Sequence, residues 1–522
     1  MNNKIRELIN LKYQTFYPEE DTTIAVIPQL PGTMSYLICS KTDDFEVINS
    51  TVLASGEHIF TAFVGDHHGA TPYKEPSIKK LIDLSEVENF LDAGSYLIFS
   101  SSQFKDLIGT LGIDLIKKFF DQFLMAKIVP QSDRPGSLQN QKGLKCIYQN
   151  DVIEWLYEIM LEGNVKFSAE VLDVYLELYG PRELRYIDNI QFIKKQIDTG
   201  LPNGMLASIF NAGGNPEAGW LLYRDAVKTI VLNRCIKLPH PFWDGEDFSD
   251  KKILFRREPG PSDEILYSNI FNELICLGCD VIIEVDERLV NIFKRSFPRA
   301  EVFPRTDPPN KRLLSKDIDF QANYSDPFEL LRNDLNKYPK HEKYLFPDKQ
   351  LSIHWKNYLN NITKKPRIGI SWSTGATSKV SSKYSTYLED WLPILNEKRA
   401  EFFSLQYVNS ENEIEKLYRE FGVKINLIEE IDMFNDLENL AALISQLDLV
   451  ISINNINSQL GSALGVETWQ LVPNFWYFLH NTKIDHFNKK AKNFIWNGLS
   501  EPSKVIPEVC NQLKIKLDKK LL

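Results

Sequence analysis

The sequence contains few cysteines, no long apolar run and no excess of positive charge. Its six cysteines are scattered over 522 residues. Cys276 and Cys279 form a C-x-x-C pair but lack the second pair that a zinc site needs, so we interpret both as core positions on an apolar helix. No stretch approaches 18 uninterrupted apolar residues, which predicts that no helix spans a membrane. The N-terminus is charged throughout and lacks the apolar segment of a secretory signal, so a reducing cytoplasm is the expected location.

Charge and composition narrow the class of protein. The net charge of −10 argues against a nucleic-acid partner, because nucleic-acid binding needs a basic face. Hydrophobic residues make up 43% and charged residues 25% of the chain, which is ordinary for a globular protein. The chain length predicts about two to four domains, each long enough to bury a core.

The first half of the chain is predicted to contain two regions, and the sequence does not indicate the role of either. Residues 1–150 contain β-rich runs, among them FEVINSTVLAS and HIFTAFVG, and a stretch of helical periodicity. We interpret them as a mixed α+β N-terminal domain of unknown role, with a surface loop or boundary at Val129 to Gly143. Residues 151–245 carry apolar residues at helical spacing and are predicted to form a helical segment.

Strands and helices alternate from Lys251 onwards, with one interruption. The predicted strands KILF, DVIIEV and EVF belong to a first lobe, residues 246–350. The predicted strands RIGISW, EFFSLQY, KINLI, DLVISI and VETWQLV belong to a second lobe, residues 351–522. A connection rich in proline and charge, Arg305 to Asn360, separates the two sets, and we expect the C-terminal tail to pack back on the first lobe. The alternation predicts two parallel α/β sheets. Because ligands bind beyond the carboxyl ends of such strands, the site is expected in the cleft between the lobes.

The first candidate loop is Glu258-Pro-Gly-Pro-Ser-Asp-Glu264, between the first strand of the first lobe and a helix. Ser262 or Asp263 could be the N-cap of that helix, which is the reading that spacing alone favours. Alternatively, Asp263 is a carboxylate held at the edge of the cleft by a Gly/Pro turn. There it could take a proton from an acceptor hydroxyl.

The second candidate loop is SWSTGATS, residues 371–378, after the first strand of the second lobe. Hydroxyls and backbone N–H groups next to a glycine suit phosphate oxygens. Lys379 and Lys383 lie just beyond and could add positive charge. An ordinary hydroxyl-rich loop fits the pattern equally well.

The third candidate is NNINS, residues 454–458, which we predict to be the turn between a strand at 448–453 and a helix at 459–464. Its amides would face the cleft, and the helix N-terminus at Gln459 would offer free N–H groups to an anion. Close helix packing and asparagine turn chemistry are the alternative explanation. That alternative accounts for the small residues after Gln459 but not for four amides within six residues.

These segments, in this order, resemble a family of glycosyltransferases. LVISINNINSQLGSALGVETWQLVP is similar to the strand–turn–helix–strand signature of the glycosyltransferase domain often found behind tetratricopeptide arrays. That domain is related to the lipopolysaccharide heptosyltransferases. EPGPSDEILYSNIF, IGISWSTG, FFSLQY and DLENLAALISQLDLVIS agree in order, over about residues 251–496. The resemblance implies a GT-B fold, in which two Rossmann-like lobes enclose one cleft.

The resemblance also implies roles for individual residues. Asp263 matches the family's catalytic base. No cofactor is expected, since the nucleotide sugar is a co-substrate. No metal is expected either, which agrees with the lack of a carboxylate pair with metal spacing in the second lobe. Candidates for the charge on the donor phosphates are Lys379 and Lys383, and the expected donor-binding residues are Ser371, Ser373, Thr374, Gly375, Gln406, Asn454, Asn455, Asn457, Ser458 and Gln459.

Two positions depart from the family pattern. Ser373 replaces the basic residue of the family's S-W-R-S-G, and Gln459 stands where a histidine is usual. Neutral hydrogen bonds are about half as strong as charge-assisted ones, so donor binding should be weaker unless the two lysines compensate. The sequence therefore predicts a cytoplasmic, metal-independent glycosyltransferase that acts on a hydroxyl of a glycan or protein. The alternative is a catalytically inactive binding or scaffold protein of the same fold.

Overall fold

The computed structural model describes residues 47–52, 58–62, parts of 156–172, and 200–520 apart from 235, 257, 259, 340, 375–384, 408–409 and 499–501. The chain divides into two compact units, one of residues 1–160 with 166–206 and one of 161–165 with 207–522. In the first unit, strands β1 (Val47–Val52) and β2 (His58–Ala62) pair in antiparallel fashion. They fall within the predicted strand runs FEVINSTVLAS and HIFTAFVG. The predicted boundary at Val129 to Gly143 lies outside the described residues.

Two consecutive helices precede the first sheet, within the predicted helical segment. Helix α1 spans Gly200–Gly213 and helix α2 spans Pro216–Arg234. Gly214 between them has a φ of +98°, a conformation that glycine adopts without a steric penalty. Asn215 then accepts a hydrogen bond from the backbone N–H of Ala218 at 3.1 Å, which starts α2.

The first lobe contains a four-stranded parallel sheet in the order β5-β4-β3-β6. Its strands are β3 (Lys252–Arg256), β4 (Asp280–Val285), β5 (Glu301–Pro304) and β6 (Phe320–Asn323). Its helices are α3 (Pro261–Tyr267), α4 (Phe271–Cys276), α5 (Val290–Ser296) and α6 (Phe328–Leu331). Strands β3 and β4 are buried along nearly their whole length, as expected of a parallel sheet covered on both faces.

The second lobe contains a five-stranded parallel sheet in the order β11-β10-β9-β7-β8. Its strands are β7 (Arg367–Ser371), β8 (Glu401–Ser404), β9 (Leu449–Ile453), β10 (Thr468–Pro473) and β11 (Ala491–Trp496). Its helices are α7 (Lys349–Ile362), α8 (Leu392–Leu395), α9 (Glu411–Phe421), α10 (Leu437–Ile444), α11 (Ile456–Ala463) and α12 (Ile506–Asp518). The two predicted Rossmann-like α/β lobes are thus confirmed. Among the described helices, none combines the length and apolar character that a membrane span requires.

The connection from Arg305 to Asn360 is more regular than the sequence suggested. It contains strand β6, helix α6 and most of helix α7. Helix α7 begins where Asp348 accepts hydrogen bonds from the backbone N–H groups of Gln350 and Leu351, at 2.8 and 2.9 Å. The four residues of β6 include two amides, so this strand does not stand out as an apolar run.

One hydrophobic core extends through both lobes. It includes Phe255 of the first sheet together with Val450 and Leu460 of the second lobe. An ion pair of 2.5 Å between Arg295 of α5 and Glu438 of α10 also joins the lobes. The two lobes are therefore in direct contact and share buried apolar surface.

Residues 474–480, with the aromatic-rich sequence NFWYFLH, contribute to this shared core. The rings of Trp220 and Phe478 lie 6.1 Å apart. The indole N–H of Trp220 donates to the Tyr338 hydroxyl at 2.7 Å, and that hydroxyl lies 2.6 Å from Nε2 of His480. Burial lowers the pKa of His480 to about 3, so its ring is neutral. Since Nδ1 lies 3.1 Å from the carbonyl oxygen of Asn211, Nδ1 carries the proton and Nε2 accepts from Tyr338.

The C-terminal helix α12 packs on the second lobe, so the prediction that the tail returns to the first lobe is wrong. Ile506, Val509 and Leu513 of α12 join Ile370 and Leu471 in a separate core on one face of the second sheet. Their spacing places them on one side of the helix. A parallel sheet needs cover on both faces, and α12 supplies part of that cover.

Two further expectations are wrong in detail. The predicted strand KINLI is reduced to one parallel bridge between Asn426 and Phe403 at the edge of the second sheet. Cys276, expected in the core, is exposed at the end of α4, whereas Cys279 is buried. Both cysteines are free thiols.

Candidate active site

The carboxyl edges of the two sheets meet in the second unit of the chain. Helix α3, which follows β3, contacts helix α11, which follows β9. Arg288, just beyond β4, donates a hydrogen bond from Nη1 to the carbonyl oxygen of Phe434 in the second lobe at 2.9 Å. Parallel α/β sheets bind ligands beyond the carboxyl ends of their strands. The candidate site is therefore the junction at which α3 and α11 meet.

Asp263 lies in the first turn of α3, at this junction. The N-cap of α3 is Gly260, followed by Pro261, so the prediction that Ser262 or Asp263 is the N-cap is wrong. Asp263 is instead the third residue of the helix, where the backbone N–H of Gly260 favours its ionised form and so opposes a rise in its pKa. The residue is half-buried, and burial raises the pKa of Asp263 to about 6. A carboxyl group with this pKa suits general-base chemistry near neutral pH.

Two other carboxyl groups, those of Glu258 and Asp326, lie near Asp263 but are fully buried. Glu258 Oε1 accepts hydrogen bonds from the backbone N–H and the hydroxyl of Ser325 at 2.9 and 3.0 Å. Asp326 accepts a hydrogen bond from the backbone N–H of Asn323 at 2.8 Å. Burial raises the pKa of Glu258 well above its usual range, and the charges of Asp263 and Asp326 raise it further. Asp263 is thus the accessible member of the group.

Glu264, next to Asp263, fixes α3 to the first sheet. Its buried carboxylate accepts from the backbone N–H of Asp286 at 2.9 Å and pairs with Arg305 at 3.2 Å. Burial raises the pKa of Glu264 to about 7, although these partners oppose the rise. Burial alone would also raise the pKa of Asp286, but hydrogen bonds from Arg288 hold it below its usual value. The first turn of α3 is therefore anchored at the ends of β4 and β5.

The side chain of Gln406 holds the loop after β7 through hydrogen bonds. Its Oε1 accepts from the Ser371 hydroxyl at 3.2 Å and from the backbone N–H groups of Trp372 and Ser373 at 3.1 and 3.2 Å. Its Nε2 donates to the Ser373 carbonyl oxygen at 3.0 Å. Gln406 is 7% exposed and Ser371 is fully buried. Both are predicted donor-binding residues, and in the structure their side chains hold the loop in place.

The two ends of the loop after β7 lie close together. The backbone N–H of Thr374 donates to the Ser385 hydroxyl at 3.0 Å, and that of Thr386 donates to the Trp372 carbonyl oxygen at 2.9 Å. Ser373 and Thr374 are half-buried and lie at the carboxyl edge of the sheet. Three predicted site residues of this loop, Gly375, Lys379 and Lys383, lie outside the described residues.

Asn455 connects helix α11 to strand β7. It is the N-cap of α11, and its Oδ1 accepts from the backbone N–H of Asn457 at 2.9 Å and from the Ser452 hydroxyl at 3.1 Å. Its Nδ2 donates to the Ser371 hydroxyl at 2.8 Å. Asn455 has 6% of its surface exposed, and its side chain organises the turn. The sequence had predicted instead that this side chain faces the cleft.

Helix α11 begins at Ile456, three residues before its predicted start, and this change turns the next two side chains inward. Asn457 is fully buried and donates from Nδ2 to the Leu405 carbonyl oxygen at 2.8 Å. The Ser458 hydroxyl lies between the backbone N–H and carbonyl groups of Asn455, at 3.1 and 2.8 Å. The prediction that Asn457 and Ser458 face the cleft is therefore wrong.

Gln459 and Asn454 form an amide pair beside this turn. Gln459 Nε2 donates to Asn454 Oδ1 at 2.9 Å and lies 3.4 Å from Oε1 of Gln470. Gln459 is 4% exposed, and its backbone N–H donates to the Asn455 carbonyl oxygen, so neither group is open to an anion. Asn454 is half-buried. Its Nδ2 has no hydrogen-bond partner within the described part of the chain.

The accessible polar groups at the carboxyl edge of the second sheet are thus fewer than the sequence suggested. Ser373, Thr374 and Asn454 are half-buried there, whereas the other described members of the predicted donor set are buried. Sequence reasoning also missed Arg288 and Phe434, which lie at the same edge and link the lobes. A weak signal for Phe434 was present in the turn sequence IDMFND, in which an aromatic residue lies two positions after an aspartate. Across the described residues, no group of three His, Cys, Asp or Glu side chains could hold a metal ion.

Known proteins are similar to parts of this chain. No protein-family profile matches it. It is 29% identical to Protein FlbA of Caulobacter vibrioides over 278 residues, which are 51% of this chain and 47% of that protein. The chain thus spans about half the length of this curated relative.

Among solved structures, the chain is similar to the glycosyl transferase family 9 protein from Veillonella parvula. The TM-score is 0.37 and the identity 12%, over 51% of this chain and 98% of the other. It is also similar to the ADP-heptose lipopolysaccharide heptosyltransferase II of Escherichia coli, with a TM-score of 0.35 and 11% identity, over 51% and 99% of the two chains.

Proposed function

We propose that the protein is a glycosyltransferase that moves a sugar from a nucleotide-sugar donor to a hydroxyl acceptor. The observation that carries the proposal is the junction of α3 and α11. There, the helix that bears Asp263 contacts the helix that follows Asn454. An accessible carboxyl group with a raised pKa on one lobe and a polar loop on the other are what such a reaction needs.

The reaction begins with transfer of the acceptor hydroxyl proton to Asp263. The acceptor oxygen then forms a bond to the anomeric carbon of the donor sugar. The bond from that carbon to the diphosphate oxygen breaks, and its electron pair leaves with the nucleoside diphosphate. We assign contacts with this diphosphate to the hydroxyls of Ser373 and Thr374 and to the amide of Asn454, because hydrogen-bond donors aimed at a developing charge lower the barrier.

Charge for the diphosphate is assigned to the loop after β7. We assign this charge to Lys379 and Lys383 and include Gly375 in the donor site, since backbone N–H groups next to a glycine suit phosphate oxygens. In this proposal the two lysines do the work of a metal ion, and no cofactor takes part. The acceptor is a hydroxyl of a glycan or protein, and the location is the cytoplasm; both come from the sequence.

The buried amides have a supporting role in this proposal. Asn455, Asn457 and Gln406 hold the ends of β7, β8 and β9 together through side-chain hydrogen bonds. They shape the loop that carries Ser373 and do not themselves contact the donor. The prediction from sequence differs, since it counts all three among the donor-binding residues and places Asn455 and Asn457 on the diphosphate.

Turnover of sugar nucleotides tests the proposal. Purified protein is incubated with a panel of sugar nucleotides, and release of the nucleoside diphosphate is followed. Asp263→Asn should lower turnover by about 10²-fold or more, the scale of a lost general base. Ser262→Ala, a change at the neighbouring half-buried position in the same helical turn, should have little effect. Wild-type turnover in Asp263→Asn would refute the assignment of the base.

The second candidate is a glycosyltransferase-like binding or scaffold protein without catalysis. One observation favours it: the amide of Asn455 and the backbone N–H of Gln459 are occupied by internal hydrogen bonds. Ser373, which replaces a basic residue, adds no charge. Nucleotide binding without turnover across the whole panel would support this alternative.

A further inference from the structure

An exposed aromatic side chain lies beside the loop assigned to the donor phosphates. Phe434 is 53% exposed. Its centroid lies 6.3 Å from that of Tyr407, with 38° between the ring planes. The guanidinium carbon of Arg288 lies 4.9 Å from the Phe434 centroid. We call Phe434, Tyr407 and Arg288 the aromatic rim.

The turn that presents Phe434 is ordered by its own hydrogen bonds. Asp432 Oδ1 accepts from the backbone N–H groups of Phe434 and Asn435, both at 3.0 Å. Asp432 Oδ2 accepts from Nδ2 of Asn435 at 2.7 Å. A ring presented by such a turn loses little freedom when a ligand binds, so its contact surface is available at low entropic cost.

The aromatic rim lies at the same sheet edge as the loop after β7. The Tyr407 hydroxyl lies 3.4 Å from that of Thr374, and Tyr407 directly follows Gln406, which holds Ser373. The parallel bridge at Asn426 sends the chain toward Phe434 in the direction in which β8 runs. A ligand whose phosphates contact Ser373 and Thr374 would therefore extend toward the rim.

The charge of the rim favours a neutral ligand. Arg288 makes two hydrogen bonds to the carboxylate of Asp286, at 2.8 and 2.9 Å, and a third to the Phe434 carbonyl oxygen. Its positive charge is therefore balanced and its guanidinium is fixed in place. A phosphate would have to compete with Asp286, whereas a flat uncharged ring can stack on the exposed surface of Phe434.

We propose that Phe434, supported by Tyr407 and Arg288, is the platform on which the nucleobase of the donor stacks. This inference rests on the proposed function, because it places the base of the same nucleotide whose diphosphate contacts Ser373 and Thr374. Stacking on an aromatic side chain accepts any base, since every base has a π-face. Hydrogen-bonding groups around the rim, and not the stack, then select among bases.

Calorimetric titration of four nucleoside diphosphates and of inorganic pyrophosphate tests the platform. Phe434→Ala should weaken nucleoside diphosphate binding about tenfold, in the range of one lost base stack. Binding of pyrophosphate, which has no base, should not change. Phe421→Ala removes a comparably exposed ring, 50% accessible at the end of α9, and should bind every ligand as the wild type does.

A second variant gives a positive signal. In Phe434→Trp, a stacked base should quench the added indole fluorescence when a nucleoside diphosphate is titrated, and Phe421→Trp should show no such change. Equal affinity of Phe434→Ala and wild type, or equal loss of pyrophosphate and nucleotide binding, would overturn the platform while leaving the proposed function in place. If the wild type binds no nucleoside diphosphate, both proposals fail.

Discussion

Two adjacent asparagines should respond in opposite ways to the same substitution. Asn455→Ala removes the N-cap of α11, worth about 1 kcal/mol. It also removes the hydrogen bonds with Ser371 and Ser452, worth about 1 kcal/mol each. We expect the free energy of unfolding of the second unit to fall by about 3 kcal/mol, a large part of a typical total of about 5–15 kcal/mol. Asn454→Ala breaks one half-buried bond from Gln459 and should cost less than about 1 kcal/mol.

The affinity for a nucleotide should change in the opposite order, with the larger loss in Asn454→Ala. Asn454→Ala removes a donor from the proposed diphosphate site, so binding of a nucleoside diphosphate should weaken about tenfold, or 1.4 kcal/mol. Folded Asn455→Ala should keep most of its affinity for the nucleoside diphosphate. Urea unfolding measures the first effect and calorimetric titration the second. Equal stability losses in the two variants, or a larger affinity loss in Asn455→Ala, would refute the assignment of roles.

Two other predictions concern the carboxyl group of Asp263 and the buried hydroxyl of Tyr338. Asp263→Asn should stabilise the protein at pH 8 by about 1–2 kcal/mol, because a carboxyl group with a folded-state pKa of about 6 destabilises the fold once ionised. Unfolding curves should show this gain vanish as the pH falls towards 4, and a gain that persists at pH 4 would contradict the cause. Tyr338→Phe leaves the Trp220 indole N–H and His480 Nε2 buried without a partner and should cost about 2–4 kcal/mol by urea unfolding. The control is Tyr344→Phe, which should cost little because the Tyr344 hydroxyl is buried without a partner within the described residues; equal losses in the two variants would contradict the network.

The two lobes could be predicted because their strands are apolar and alternate with helical segments. DLVISI, for example, corresponds to β9, which begins one residue later than predicted. Strand β6, Phe320–Asn323, was not predicted because it is short and two of its four residues carry amide side chains. KINLI reads as a strand, yet only Asn426 pairs, since a peripheral segment has one neighbour and its pairing depends on the path of the next loop. Apolar pattern predicts burial better than it predicts pairing.

The candidate site was harder to predict because side-chain direction depends on where a helix begins. A start at Gln459 would have left Asn457 in the turn, whereas the actual start at Ile456 buries it against Leu405. The amide-rich turn is therefore explained mainly by connections among strands. Asp263 was identifiable from the resemblance, but its half-buried state, and the rise in pKa that burial causes, depend on packing that spacing does not reveal.

The most direct test of the central claim is a crystal structure of the protein soaked with a nucleoside diphosphate. The account predicts the diphosphate within hydrogen-bond distance of Ser373 and Asn454, the base on Phe434, and Asp263 across the cleft. Density for the nucleotide elsewhere would contradict it, for example in the cavity at the amino edge of the second sheet that Lys343 and Asp448 line. A cleft that stays free of nucleotide at saturating concentration would contradict it as well.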